Sequence, residues 1–282
     1  MSYKDVTIVI TSFNSENQIV KCLNSINRKI QTFVIENSNN QDFKTNIEKK
    51  YTNVKCFLTG ENLGYAKGNN FGLKKVKTKY AIILNPDSQL SPDAVDNFLV
   101  NSQKIPDFAM IGPFIQEQKE LELSDSKNKK ELIETQSLKG FALFLNMSQF
   151  LDIGFFDENF FIYFEEIDLC RRVRLSKKKI YLDPEIRIKH LGGSSHNAAI
   201  NTEMELSRNW HWMWSTFYYH KKYNGYIASL IKIFPKLISA ILKTFFYSLI
   251  FNSKKRKIYF QRSSGILNSM MLKDSWYRPK IF

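Results

Sequence analysis

The stretch that most constrains this chain is Tyr80-Ala81-Ile82-Ile83-Leu84-Asn85-Pro86-Asp87. Its first five residues form an almost unbroken apolar run, too short for a helix and suited to a buried central strand. Pro86 has no amide hydrogen to donate and stops the ladder. Asp87, a hard oxygen ligand, then stands at the C-terminal end of a strand, the edge where open α/β sheets bind ligands. The plainer alternative is a strand closed by an ordinary Asn-Pro-Asp turn.

The segments in front supply the rest of a sheet. Val6-Thr7-Ile8-Val9-Ile10 predicts a strand ending in the polar turn Thr11-Ser12-Phe13-Asn14, with Ser15 or Asn14 capping a helix over about 16–26. Thr32–Ile35 predicts a second strand, closed by Glu36-Asn37-Ser38-Asn39. A helix over about 42–51 and a strand over 54–58 follow. This β-α-β-α order predicts an α/β fold with a mostly parallel sheet and right-handed crossovers. No GxGxxG follows the first strand and no GxxxxGK[ST] occurs anywhere. In their place stands Glu61-Asn62-Leu63-Gly64-Tyr65-Ala66-Lys67-Gly68-Asn69-Asn70. Gly64 and Gly68 allow a close backbone approach, and the amides of a helix starting there, with Lys67, suit a diphosphate. A plain turn and helix start would look similar.

Further along, 116–130 is polar and charge-rich and predicts a surface loop, and 140–145 predicts another buried strand. An aromatic run then leads into Phe164-Glu165-Glu166-Ile167-Asp168-Leu169-Cys170-Arg171-Arg172. The helix dipole lowers the pKa of acids at a helix start, whereas apolar surroundings and like charge raise it. A carboxylate between these effects suits general-base work; the plain alternative is acids neutralised by Arg171, Arg172 and Arg174. His190 ends a strand before Gly192-Gly193-Ser194-Ser195, a position where a lone histidine is usually structural.

Taken together, Val6–Asn14, Ile35–Ser38, Asn62–Asn70 and Ile82–Asp87 resemble, in order and spacing, the nucleotide-binding half of the family 2 glycosyltransferases. The set looks most like the bacterial rhamnosyltransferase-like branch. The resemblance implies a GT-A fold over residues 1–207, with a mostly parallel nucleotide-binding sheet and helices on both faces. It implies a donor site of Thr11, Ser12, Asn14, Glu36, Asn37, Gly64, Lys67, Asn85 and Asp87. It implies Mn²⁺ or Mg²⁺ held by Asp87 and His190, and Glu166 as base with Glu165 in reserve and Asp168 bracing. The chemistry implied is inverting transfer from a nucleoside-diphosphate sugar, dTDP-rhamnose first, to a surface polysaccharide or lipid-linked glycan. Gly192 and Gly193 would serve a lid. Three positions depart from the family pattern: Asn85 replaces the first acid of Asp-x-Asp, Glu36 replaces Asp, and Glu166 replaces Asp. Glu36 bears on which nucleotide base is read, while Asn85 and Glu166 leave a second reading, a catalytically weak or inactive GT-A partner protein.

The tail differs in kind. Residues 208–282 hold fourteen Lys or Arg against Asp274 alone, a balance of +13 within the chain's +14. Trp210 and Trp212 open this region as candidates for stacking on an acceptor sugar. From 226 to 251 the chain is mostly apolar and its only charges are Lys232, Lys236 and Lys243, which fall within about 40° on a helix with Ser239 on the same stripe. With Lys254-Lys255-Arg256-Lys257 behind it, this predicts a basic amphipathic helix in an anionic membrane interface. Packing on the domain or a homo-oligomer is the alternative, and nucleic acid is excluded by the wide apolar arc. Three cysteines without metal-ligand spacing argue against disulfides or zinc. With Lys4 and Asp5 interrupting any signal peptide, the expected location is cytoplasmic, peripheral on the inner face of the plasma membrane.

Overall fold

The structure, a computed structural model, describes residues 2–114, 131–190 and 200–279, with His190 as backbone only. The polar stretch 116–130 and the Gly192-Gly193 loop lie outside the described residues. Contacts divide the chain into two compact units. One holds Met1–Leu63, Lys67–Phe156 and Glu166–Asn197; the other holds Gly64–Ala66, Asp157–Glu165 and Ala198–Phe282.

The first unit is built on a sheet whose described strands run in the order β3-β2-β1-β4-β8-β6-β9-β7. Strands β1 (Val6–Ser12), β2 (Gln31–Glu36), β3 (Val54–Leu58) and β4 (Tyr80–Leu84) are mutually parallel, as the alternation with α1 (Glu16–Asn24), α2 (Gln41–Lys50) and α3 (Gly64–Leu73) predicts. Ile8, Val9, Ile82 and Ile83 are fully buried, which is what continuous apolar runs require. Past β4 the sheet becomes mixed. β8 (Ala142–Asn146) runs antiparallel to β4 and to β6 (Phe108–Pro113), β9 (Lys179–Asp183) is parallel to β6, and β7 (Ile133–Glu134) is antiparallel to β9. A separate antiparallel pair joins β5 (Ser88–Leu90) to β10 (Ile188–His190).

Two contacts fix this architecture. A Cβ on Gly72 would meet Val9 Cγ1 at 2.5 Å and Ile35 Cγ1 at 3.0 Å, so the missing side chain seats α3 directly on the parallel strands. On the mixed side, the Phe144 ring lies 5.0 Å from Tyr80, 4.9 Å from Phe98 of α4 (Ala94–Lys104) and 5.4 Å from Phe108. One aromatic stack therefore ties β8 to β4, β6 and a covering helix.

The second unit is helical: α6 (Asn201–Asn224), α7 (Tyr226–Leu249) and α8 (Ser253–Met270). α6 begins at Asn201, ahead of the basic tail's start at 208, and α7 runs unbroken through Pro235. Met213, Phe217, Ile233, Leu237 and Ile266 form its core. Gly265 lets α8 approach the α6 backbone at the Trp210 carbonyl, where any side chain would collide.

Phe144→Ala should cost about 3–5 kcal/mol by opening a cavity in that stack. Urea unfolding should show a lower midpoint with little change in slope.

Candidate active site

The C-terminal ends of the parallel strands converge on polar residues. Ser12 and Glu36 are register partners at the ends of β1 and β2, and the Asn37 amide donates to the Ser12 carbonyl at 2.8 Å. Glu36 is 1% exposed. Its carboxylate accepts the Ser38 amide at 2.7 Å and also the Ser38 hydroxyl. Burial pushes this carboxyl above the usual range, while donors on Ser38 and Ser12 pull against that. The longer Glu side chain is thus folded into its own turn. A Cβ on Gly68 would meet Thr11 Cγ2 at 2.7 Å and Asn37 Nδ2 at 3.1 Å. Gly68 therefore seats α3 beside Thr11 and Asn37, a packing role that the expected ligand approach did not include. Asn14 carries a positive φ of 48° in the turn after β1, and Lys67 is exposed on α3.

At the end of β4 the turn and ligand readings coexist. The Asn85 amide donates to the Phe141 carbonyl at 2.8 Å, and the Ser88 amide to the Asn85 carbonyl at 3.0 Å, closing the turn. Asp87 is left 3% exposed, immediately before Ser88, whose backbone register partner is His190. The sequence-distant aspartate and histidine are thus brought to one end of one two-stranded ribbon. The His190 imidazole lies outside the described atoms. Among the described residues no cluster of three His, Cys, Asp or Glu is suited to a metal. The Asp87 carboxylate and the Asn85 amide oxygen are hard oxygen donors of the kind that fit Mn²⁺ or Mg²⁺.

The acids after the aromatic run separate by environment. Asp168, on α5 (Glu165–Leu175), is fully buried and accepts from Arg172 Nε at 2.8 Å. Arg172 Nη1 donates in turn to the Ile153 carbonyl at 2.8 Å, and Nη2 to that of Phe155. Asp168 thus follows the neutralised reading and braces the helix. Glu166 is half-buried, and its Oε2 is buried with no hydrogen-bond donor among the described residues. Burial raises its carboxyl above the usual range, against the Glu166 and Ile167 amides and the Lys139 charge. Glu165 is buried.

The loop leading to Glu165 belongs to the helical unit and is strained. Tyr163 and Phe164 have φ of 71° and 70°, a left-handed conformation that costs bulky residues on the order of 1–3 kcal/mol each. Packing holds them there. Trp212, 46% exposed, lies 5.2 Å from the Tyr163 ring and 5.4 Å from that of Phe164. Ser215 donates to the Ile162 carbonyl at 3.1 Å, and Asp157 accepts from Tyr218 at 3.0 Å and Lys222 at 2.7 Å. Phe161 is the centre of the loop: its carbonyl accepts the Tyr65 amide at 2.7 Å, and its ring occupies the space a Gly64 side chain would need. His211 stacks on that ring at 4.4 Å, and the Arg278 guanidinium lies 3.9 Å from its centroid. His211 Nε2–H donates to the Tyr277 carbonyl at 2.7 Å, and burial lowers its pKa to about 3, so the ring is neutral. Gly64 thus serves this seat as well as the helix start. Trp210 needs correction as an acceptor platform: it is fully buried, with its indole N–H on Ser264 Oγ at 3.2 Å. Phe161, His211 and Arg278 were not singled out from sequence, because no local pattern links residues so far apart.

The mixed α/β fold, whose parallel strands end in polar residues with a buried aspartate after β4, is that of the GT-A glycosyltransferases. Residues 7–172 match the model of Glycosyl transferase family 2, and the chain belongs to that family. It is 25% identical over 249 residues to the rhamnosyltransferase WbbL of Escherichia coli K12, covering 76% of this chain and 92% of that protein. It is 23% identical over 192 residues to the low-salt glycan biosynthesis hexosyltransferase Agl10 of Haloferax volcanii, covering 60% of this chain and 62% of the relative's length. Among solved structures, the mannosyltransferase PcManGT of Pyrobaculum calidifontis, in complex with GDP-Man and Mn²⁺, superposes with a TM-score of 0.58 at 12% identity over 96% of this chain and 87% of that one. At that identity the likeness is one of fold.

Arg278→Ala should loosen the Phe161 seat without unfolding the protein. A displaced loop before Glu165 should lower kcat by about tenfold or more with little change in nucleotide affinity, and Arg278→Lys should recover part of it. Steady-state kinetics beside nucleotide titration by calorimetry separates the two quantities.

Proposed function

We propose that the chain is an inverting hexosyltransferase of glycan biosynthesis. It moves a sugar from a nucleoside-diphosphate donor, dTDP-rhamnose first, to a hydroxyl of a polysaccharide or lipid-linked glycan. The observation that carries this is Glu166: a half-buried carboxylate with an undonated oxygen and a raised pKa, at the start of α5, while nearby Asp168 is neutralised by Arg172. The relatives named rhamnosyltransferase and hexosyltransferase support the sugar class.

Each residue has a physical task. Glu36 and Asn37, with Thr11, Ser12 and Asn14, form the polar rim for the nucleotide base and ribose, while Lys67, exposed on α3, supplies a cation for its phosphates. Asp87 and His190, with Asn85 beside them, would hold Mn²⁺ or Mg²⁺, which neutralises charge on a leaving diphosphate. Glu166 accepts the proton of the attacking hydroxyl as the bond to the anomeric carbon forms on the face opposite the leaving group. Burial raises its carboxyl above the usual range, which strengthens it as a proton acceptor. No covalent nucleophile is required. Trp212 offers an exposed ring for the acceptor sugar, and Glu165 stands beside the base as its alternate. A lipid-linked acceptor places the reaction at the inner face of the plasma membrane.

Glu166→Gln should keep nucleotide binding and lower turnover by about 10²–10⁴; an active Glu166→Gln with a dead Glu165→Gln would move the base by one residue. If the wild type turns over none of a panel of nucleotide sugars, the non-catalytic partner reading takes its place. Nucleoside diphosphate should raise Tm more with Mn²⁺ than with EDTA, and Asp87→Ala should remove that difference. Equal stabilisation in EDTA would take the metal out of the account.

A further inference from the structure

The side chains of α7 divide into three arcs at about 100° per residue. One arc, with Ser229, Ile233, Leu237 and Ala240, is buried in the helical unit. A second carries Lys232, Lys236 and Lys243, all exposed. The third is apolar and exposed. Ile231, Phe234, Ile238, Leu242, Phe245 and Leu249 follow one another at steps of three or four residues, each from 40% to 73% exposed. Isolated surface hydrophobes need no explanation, but a continuous stripe of this size marks an interaction surface. It runs for about 27 Å at 1.5 Å per residue.

The stripe leads to a tip of matching chemistry. Phe251, in the turn between α7 and α8, is 93% exposed and held at a φ of 53°. Lys254, Lys255, Arg256 and Lys257 follow on the first turns of α8, all exposed, with Lys254 paired to Glu205 at 3.0 Å. Two occupants suit an apolar stripe: a bilayer and a second copy of the chain. A second copy would bring one basic helical face against another, with Glu203, Glu205 and Asp274 the acids in residues 198–282 against fourteen cations, Glu205 being already paired. An anionic leaflet supplies the opposite charge over its whole surface. Among the described residues no helix is long and apolar enough to cross a membrane, and one arc of α7 is already packed on protein. These features match a helix lying in the interface plane.

We infer that α7 docks in the plane of an anionic bilayer, with the apolar arc and Phe251 among the acyl chains. Its lysine arc and the Lys255–Lys257 cluster then meet the phosphates. Such docking would deliver the transferase to a membrane-held acceptor, the reading proposed above, yet lipid binding is measured without turnover, so either can fail alone.

The test is vesicle co-sedimentation of the full chain, with phosphatidylcholine–phosphatidylglycerol vesicles against phosphatidylcholine alone. Binding should need the anionic lipid, and high salt should weaken it without abolishing it, because apolar insertion is not screened. Phe234→Ser with Phe245→Ser should weaken it by about tenfold or more, and Lys255→Glu with Arg256→Glu should remove the preference for phosphatidylglycerol. Circular dichroism and Tm near wild type would show that these surface variants fold. Failure of the wild type to bind anionic vesicles overturns the inference. So does a dimer in light scattering that the Phe234→Ser, Phe245→Ser variant dissociates, since the stripe would then be covered by a second copy.

Discussion

The sheet depends on where its central ladder stops. A strand buried on both faces must satisfy its amides with neighbours, and Pro86 removes the donor that would carry the ladder on. The chain turns there, with the Asn85 amide on the Phe141 carbonyl at 2.8 Å. It re-enters as a separate ribbon with Ile188–His190. That break lets a charged residue come after five buried ones at the C-terminal end of the parallel strands. Without it, Asp87 would be a misplaced charge inside a hydrophobic strand.

The second constraint is conformational. Two consecutive aromatic residues in the left-handed region, Tyr163 and Phe164, precede Glu165. Such strain persists only when surrounding structure over-determines it. Here the surroundings are Trp212, Ser215 and Tyr218 on α6, with His211 and Arg278 on Phe161. The loop before Glu165 is thus part of the helical unit. On that unit α7 also carries exposed lysines and exposed apolar side chains.

Local chemistry made much of this legible. β1, β2 and β4 are β-branched or apolar runs ended by polar residues, and each strand lies where its own composition predicts. Asp87, Glu36 and Glu166 stand out because an acid beside a buried run demands a reason. What stayed hidden depends on contacts remote in sequence. Trp210 and Trp212 look alike in a helix with aromatics on several faces, yet two residues apart they point in nearly opposite directions, and α8 covers only the first. Gly68 reads as a ligand-approach glycine until Thr11 is seen against its missing Cβ. The antiparallel insertion of β8 rests on a ring stack among Tyr80, Phe98, Phe108 and Phe144 that no periodicity encodes.

The carboxyl of Glu166, the proposed base, is raised by burial and held down in part by Lys139. The most direct measurement is the pH dependence of kcat/KM for the wild type and Lys139→Met. A base must be deprotonated, so kcat/KM rises with pH through its pKa, and burial places that limb above the ordinary glutamate value of about 4.3. Removing a nearby positive charge disfavours the carboxylate, so Lys139→Met should move the limb to higher pH. A limb that stays in place in Lys139→Met while persisting unchanged in Glu166→Gln would contradict the assignment.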